Sequence, residues 1–303
     1  MKVVITGANS AVGQAILRCG PQQGREPKTF LALVRSSRAA EHLRSQTSNA
    51  NVVQASYEDE QSLHAALQGA SAVIHLAGIL IEKPGSTYEQ ANVASTRSVV
   101  DAAKRNGLRK FVFVSATGAD EKSRNRYYRT KGQAEALLRE SGLCYTVLRA
   151  PLLLGPSTAG AAALQRNVTG GRAKLIGGGR NLQQPLHVHD LARAATAATE
   201  VSVARNLTLD VVGPVSISER ELVELAGRLL GREVRVDSIS KGLLSLALTL
   251  RSFFGGVGFS RDALDVITSD TQLDSQLAAN ALGIQLTGID QMIKDSVGSR
   301  NLK

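Results

Sequence analysis

The sequence predicts a doubly wound α/β fold on a parallel sheet, and three observations carry that reading. Short, uniformly apolar runs rich in β-branched residues recur through the first half of the chain. Segments with helical spacing separate them. The first run ends at Thr6-Gly7, a glycine turn that leads straight into a helix. Strands apolar on both faces must be covered on both faces, which is the situation of a parallel sheet. Strand and helix in alternation then wind the sheet on both sides.

The elements follow in order. Lys2-Val3-Val4-Ile5-Thr6 is the first strand, and Gly7 permits the tight turn after it. Gly13 lets the helix at 11–19 pack close to that strand. Backbone amides at the helix start then face an open turn, where the helix dipole favours an anion such as a pyrophosphate. The middle glycine of a G-x-x-G-x-x-G pattern is Ser10 here, a small residue whose hydroxyl can itself donate to phosphate. Further strands are expected at 28–34, 51–54, 72–76, 110–115 and 145–148. Helices are expected at 39–45, 60–68, 88–106 and 127–140. Beyond Gly155-Pro156 the regularity changes, with a glycine-rich stretch at 170–179, a strand turning into a helix at 185–192, a strand at 207–212 and an amphipathic helix at 218–230. The division expected is a dinucleotide-binding domain at 1–154, rejoined by 182–213, and a small substrate lobe within 155–303.

A chain of 303 residues, 43% hydrophobic, is long and apolar enough for a full core. The net charge of +10 invites a nucleic-acid partner, but the basic residues are scattered. Aromatic residues make up 4% and tryptophan is absent, leaving little surface for stacking bases, so nucleic acid is not expected. No apolar run reaches the roughly 18 residues of a membrane span. The chain enters its first strand without the pattern of a signal peptide. Cys19 and Cys144 lie in apolar patterns and read as buried thiols in a reducing compartment, so a cytoplasmic location is expected. His187 and His189 alternate on one strand, yet no third ligand accompanies them, so no metal is expected. His75 reads as a hydrogen-bonded core residue, and Asp190 as the cap of a helix beginning at Leu191.

The end of the second strand distinguishes the cofactor. It runs into Arg35-Ser36-Ser37-Arg38, with no carboxylate to meet a ribose 2′-hydroxyl and two guanidiniums that suit a 2′-phosphate. NADP(H) is therefore expected over NAD. Further along, Tyr127 and Lys131 sit four apart at the start of a helix, so they share a face. An ammonium near a phenol lowers its pKa and makes it a usable acid or base. Arg124, Arg126, Arg129 and Lys131 also cluster there, either as a solvated surface or as a rim admitting an anionic small molecule. The stretch 241–259 is too short to span a bilayer. It reads foremost as a lid or as packing against the main domain, with a dimer face or an interfacial helix as alternatives.

These motifs resemble the short-chain dehydrogenase/reductase superfamily in its extended and atypical branches, over nearly the whole chain. The resemblance rests on Thr6-Gly7-Ala8 with Gly13, His75-Leu76-Ala77-Gly78, Asn92, the Tyr127/Lys131 pair, Leu148-Arg149-Ala150-Pro151 and Pro185-Leu186-His187-Val188-His189-Asp190. Ser115-Ala116-Thr117-Gly118-Ala119-Asp120, with the late segment 284–289, is most similar to the NAD(P)H-binding group that includes an accessory subunit of respiratory complex I.

The resemblance implies a general acid/base at Tyr127, with Lys131 holding the nicotinamide ribose and tuning the phenol. It implies cofactor contacts from Gly7, Asn9, Ser10, Ala11, Val12, Gly13, Arg35, Ser36, Arg38, Ser56, Tyr57, Ala77, Gly78, Ile79, Asn92, Lys131, Pro151, Leu152 and Leu153. Extended members place a catalytic Ser or Thr where this chain has Ala116, so Ser115 or Thr117 is expected to orient the substrate. Where relatives carry an adenine-contacting acid, this chain has Ser56. The activity implied is NADPH-dependent hydride transfer to or from a carbonyl or hydroxyl carbon. Two alternatives stand beside it: a non-catalytic NADPH-binding redox sensor or complex-assembly protein, with membrane-peripheral or complex association, and a sugar-nucleotide epimerase or dehydratase. A homodimer through the helices at 88–106 and 127–140 is a further possibility that relatives suggest.

Overall fold

The computed structural model describes residues 1–19, 28–47, 51–200, 206–253 and 258–298. Its first half comprises β1 (Lys2–Thr6), α1 (Ala11–Cys19), β2 (Thr29–Val34), α2 (Ser37–Gln46), β3 (Asn51–Gln54), α3 (Glu60–Leu67) and β4 (Ala72–His75). A π-helical segment, Glu89–Ala94, then runs into α4 (Ser95–Arg105), followed by β5 (Lys110–Ala116), α5 (Arg126–Arg139) and β6 (Tyr145–Ala150). The second half comprises β7 (Leu153–Leu154), α6 (Ala159–Thr169), β8 (Arg172–Ile176), β9 (Leu182–Gln183), β10 (Leu186–His187), α7 (Val188–Ala197) and β11 (Leu207–Asp210). It closes with β12 (Ile217–Ser218), α8 (Glu219–Leu229), β13 (Arg235–Ile239), α9 (Lys241–Phe253), α10 (Arg261–Ile267), α11 (Ser275–Leu282) and α12 (Ile289–Val297).

The central sheet has seven parallel strands in the order β11-β6-β5-β4-β1-β2-β3. Successive strands step one way from β1 to β3 and the other way from β4 to β6. The switch lies between β1 and β4, where a doubly wound sheet opens a crevice at its carboxyl edge. Alternation along β1 shows the double winding directly. Val3 and Ile5 pack with Ile16 of α1, Leu43 of α2 and Leu191 of α7. Val4 packs the opposite way, with Leu63 of α3, Val99 of α4 and Leu138 of α5. Each such buried aliphatic side chain contributes ~1.5–3 kcal/mol. A third cluster, including Leu164, Leu175, Leu222 and Met292, gathers α6, α8 and α12 over the parallel pair β8–β13 as a small C-terminal lobe.

Several details differ from the sequence-based expectations. The helix expected at 88–106 winds as a π-helix before it becomes α4. Cys19 is exposed, because α1 ends there. Helix α7 begins at Val188, three residues before the expected start, and its cap is His187, whose ring nitrogen accepts from the His189 amide at 3.3 Å. Asp190 therefore lies inside the first turn, fully buried. There it accepts hydrogen bonds from the backbone amide and hydroxyl of Thr287, both 2.7 Å, and from Arg193 at 2.5 Å. It clamps the late segment onto α7 rather than capping a helix.

The apolar stretch expected to pack as a lid forms α9, which leaves Leu243, Leu246 and Leu250 exposed and meets α10. Residues 254–257 of that stretch lie outside the described residues. No described helix is long and apolar enough to cross a membrane.

Removing the Asp190 carboxylate takes the acceptor from the half-buried Thr287 amide and hydroxyl and leaves the Arg193 guanidinium with the Gln285 carbonyl. Asp190→Ala is expected to lower unfolding stability by ~2–4 kcal/mol, as loss of one partner of a buried network does. Urea denaturation checks this, and an unchanged midpoint would refute the clamp.

Candidate active site

The site begins at the turn between β1 and α1. Gly7 sits at φ +67°, a conformation glycine adopts without the steric cost of a side chain. Ser10 accepts from the Gly13 amide through its hydroxyl oxygen at 3.1 Å and caps α1. A Cβ on Gly13 would stand 2.4 Å from the Ala8 carbonyl oxygen, so only glycine lets helix and turn come this close. The first-turn amides, Ala11 and Val12 among them, have no intrahelical acceptor and remain for an anion.

Across the turn, the buried Tyr57 places its hydroxyl beside the Thr6 side chain and the Gly7 backbone, and burial pushes its pKa up. The exposed Arg35 lies over the Tyr57 ring, 5.8 Å from the centroid. Ser36 caps α2 by accepting from the Ala39 amide, and Arg38 is exposed in that first turn. Ser56, also exposed, accepts from the Glu58 amide. A groove of about 180 Å³ runs along Gly7, Asn9, Ser10, Val34, Arg35, Tyr57, Leu76, Ala77, Gly78 and Ile79, while Ser36, Arg38 and Ser56 stand outside its lining. The glycine turn, the free amides and an exposed arginine fit the pyrophosphate and adenosine half of a dinucleotide. Ala91 and Ser95 also line the groove. They went unnoticed in the sequence, where both read as ordinary helix residues.

Asn92 is not among the lining residues. Fully buried, it accepts from the Ile79 amide at 3.0 Å and donates to Thr130 at 3.1 Å, tying the loop after β4 to α5. The π-helical segment that carries it is of the kind often found at functional sites. His75 lies deeper. Its two ring nitrogens meet the hydroxyls of Thr6 at 2.6 Å and Thr96 at 3.1 Å. Desolvation, helped by the Lys131 charge, lowers its pKa to about 3.

A second space, about 270 Å³, opens at the carboxyl ends of β5 and β6. Thr117, Tyr127, Pro151 and Leu152 line it, as do Ala116, Glu219 and Leu222. Asn125 caps α5, accepting from the Tyr127 and Tyr128 amides, and so sets the angle at which Tyr127 enters. The Tyr127 ring packs 5.9 Å from Tyr88 and 5.7 Å from Tyr128. Burial first, then these two phenols, raise its pKa. The lowering expected from Lys131 does not occur here. Lys131 instead donates to the Val114 carbonyl at 2.9 Å and lies over the Phe113 ring at 4.4 Å, and burial lowers its pKa to about 8.

Lys131 nevertheless joins the two spaces. A Cβ on Gly78, in the groove, would lie 3.5 Å from its Nζ, while Tyr127 projects from the same helix into the cavity. The hydroxyls of Ser115 and Thr117 are buried without a hydrogen-bond partner. Of the two, Thr117 lines the cavity and Ser115 does not. Glu219, the first residue of α8, also borders the cavity, and burial pushes its carboxyl up. Its role was illegible in sequence, because only the tertiary fold brings the start of α8 to the same cavity as the end of β5. The basic cluster is largely committed elsewhere. Arg126 forms a bidentate pair with Glu82 at 3.0 and 3.1 Å, and Arg129 donates to the Ser123 carbonyl.

Comparison with known proteins agrees with this geometry. A sequence model described as NAD(P)H-binding matches residues 7–198. The photosystem II assembly factor Ycf39 of Synechocystis is 25% identical over 289 residues, covering 92% of this chain and 83% of that protein. The Arabidopsis mitochondrial NADH dehydrogenase [ubiquinone] 1 alpha subcomplex subunit 9 is 30% identical over 171 residues, 55% of this chain and 42% of its own. Among solved structures, MoeE5 in complex with UDP-glucuronic acid and NAD superposes with a TM-score of 0.76 at 22% identity, covering 98% of both chains.

His75 makes a pH prediction. Its native pKa near 3 lies below the ordinary 6.5, so the unfolded chain binds a proton that the native state does not. The stability it contributes is complete above about pH 6.5 and drains as pH falls toward 3, by up to ~1.4 kcal/mol per pH unit. Denaturation between pH 6.5 and 5 should show a shallower slope in His75→Gln than in the parent. Equal slopes would contradict a neutral His75.

Proposed function

The chain belongs to the NAD(P)H-binding family, and from that premise we propose that it is an NADPH-dependent oxidoreductase of the short-chain type. Its reaction is hydride exchange with a carbonyl or hydroxyl carbon of a small molecule held in the cavity. The observation that carries the reading is the junction at Lys131, whose Nζ lies beside groove residue Gly78 while Tyr127 of the same helix enters the cavity.

In this reading the amides of Ala11 and Val12 hold the pyrophosphate, with Gly7, Asn9, Ser10 and Gly13 shaping the turn. Arg35, Ser36 and Arg38 take the 2′-phosphate, and Ser56 and Tyr57 border the adenine. Ala77, Gly78, Ile79, Pro151, Leu152 and Leu153 flank the remainder. Bound nicotinamide supplies or accepts the hydride. Tyr127, its pKa raised by burial, keeps its proton at neutral pH and donates it to the oxygen of the carbonyl being reduced. Thr117 orients that oxygen with its unpartnered hydroxyl, a role that Ala116 lacks the atoms to fill. Lys131 carries positive charge to the junction, and Asn92 positions the groove wall by holding Ile79.

A second reading is a non-catalytic NADPH-binding protein that assists assembly of a larger complex. Ala116, at the place where extended relatives carry a hydroxyl, favours it, as does the similarity to Ycf39. Titration with NADPH followed by a carbonyl screen separates the two, since the second binds cofactor without oxidising it.

Arg35→Asp is expected to weaken NADPH at least about tenfold more than NADH, the worth of one charge-assisted hydrogen bond. Calorimetric titration of both cofactors checks this, and equal losses would remove Arg35 from the 2′-phosphate. Tyr127→Phe should leave NADPH affinity near the parent value while turnover falls ~10²–10⁴-fold. Retained turnover in the nicotinamide absorbance assay would show that the proton comes from elsewhere.

A further inference from the structure

We propose that the cavity takes a neutral, largely apolar carbonyl or alcohol compound whose hydrogen-bond donor is seated against Glu219, and that it excludes anions, nucleotide diphosphates among them. The inference rests on the reading of Tyr127 and Thr117 as the reacting end of this cavity.

The cavity wall carries the argument. Its surface is mainly apolar, with Leu80, Leu152, Leu154, Leu164, Leu222 and Ile267 among the residues that line it. Among the described residues that line it, none is Lys, Arg or His. A diphosphate or a carboxylate buried there would meet no compensating charge, and burying an unpaired anion is among the costliest events in a protein interior. The nearby cations are engaged outside its wall: Arg126 with Glu82, Arg149 with the buried Glu135 at 2.7 and 3.0 Å, and Lys131, at the junction with the groove, with the Val114 carbonyl. The anion-binding equipment of the molecule lies in the groove at the β1–α1 turn, apart from this cavity.

The one acid on the wall adds direction. Glu219 stands at the start of α8, with no hydrogen-bond partner recorded for its carboxyl among the described residues. It leaves an acceptor facing an apolar space that otherwise offers only uncharged polar groups, such as Thr117, Asn167, Gln183 and Thr271. A ligand hydroxyl or amide N–H satisfies that acceptor, whereas a ligand anion is repelled by it. An apolar body filling the leucine-lined space, a carbonyl at Thr117 and Tyr127, and a donor at Glu219 together define the ligand class.

The test measures binding directly, by calorimetry on the full chain, and does not depend on turnover. The probes are 1-hydroxy-2-decanone, decanoate and UDP-glucose, and a parallel NADPH titration reports an intact fold and groove. The expected result is binding of the hydroxyketone about tenfold or more tighter than decanoate, with UDP-glucose not competing for the cavity. Glu219→Gln should narrow that ratio, and Leu222→Arg, if it still binds NADPH, should invert it. Equal or tighter binding of decanoate or UDP-glucose by the parent would overturn the proposal. So would failure of all three probes in a chain that binds NADPH, an outcome that leaves the oxidoreductase reading standing. Selective hydroxyketone binding without any NADPH oxidation would support the ligand class while contradicting the oxidoreductase reading.

Discussion

The closeness of α1 to the turn before it governs this molecule. A Cβ at Gly13 would stand 2.4 Å from the Ala8 carbonyl oxygen and 2.6 Å from its Cα, so the helix axis is drawn in until backbone nearly touches backbone. That approach aims the first-turn amides across the carboxyl edge of the sheet, where positive partial charge accumulates. Across the same turn Tyr57 sits beside Gly7, and Arg35 lies over the Tyr57 ring. The groove lies against that turn, which supplies Gly7, Asn9 and Ser10 to its wall.

A second set of constraints places the chemistry. Asn125 fixes the start of α5, and Asn92 binds the loop after β4 to Thr130 of that helix. Lys131 is pinned to Val114 on β5. Helix, strand end and loop are thus cross-tied around the point where groove and cavity meet. The price is polar burial: His75, Asn92, Thr96, Lys131 and Glu135 all lie nine-tenths or more inside. Each except Glu135 takes a backbone or hydroxyl partner, and Glu135 takes the guanidinium of Arg149.

The first half of the chain was legible because its signals are local. Unbroken apolar runs at 72–74 and 111–114 mark central strands whatever lies around them, and Thr6-Gly7 with Gly13 marks the turn by backbone geometry alone. The C-terminal lobe was harder to read. Strand β8 alternates charged and apolar residues, as in Arg172-Ala173-Lys174-Leu175, and pairs with β13 across some sixty intervening positions. Asp190 has the sequence context of a cap, yet its function depends on Thr287, far along the chain. Ala91, Ser95 and Glu219 carry no local mark at all; they become wall residues only when the π-helical segment, the start of α4 and the start of α8 meet the groove and the cavity. The Tyr127/Lys131 pair was legible as a pair. The environment that raises the phenol instead of lowering it was not, because it comes first from burial, which only the tertiary fold supplies, and then from Tyr128 and Tyr88 packed against the ring.

The central claim is that groove and cavity are two ends of one site, with the nicotinamide lying where Lys131 joins them. A crystal structure of the NADPH complex tests it most directly. The account predicts phosphates at the Ala11 and Val12 amides, the 2′-phosphate at Arg35, and the nicotinamide at the mouth of the cavity beside Tyr127 and Thr117. A cofactor bound in the groove with its nicotinamide turned away from Tyr127, or bound elsewhere on the chain, would contradict it.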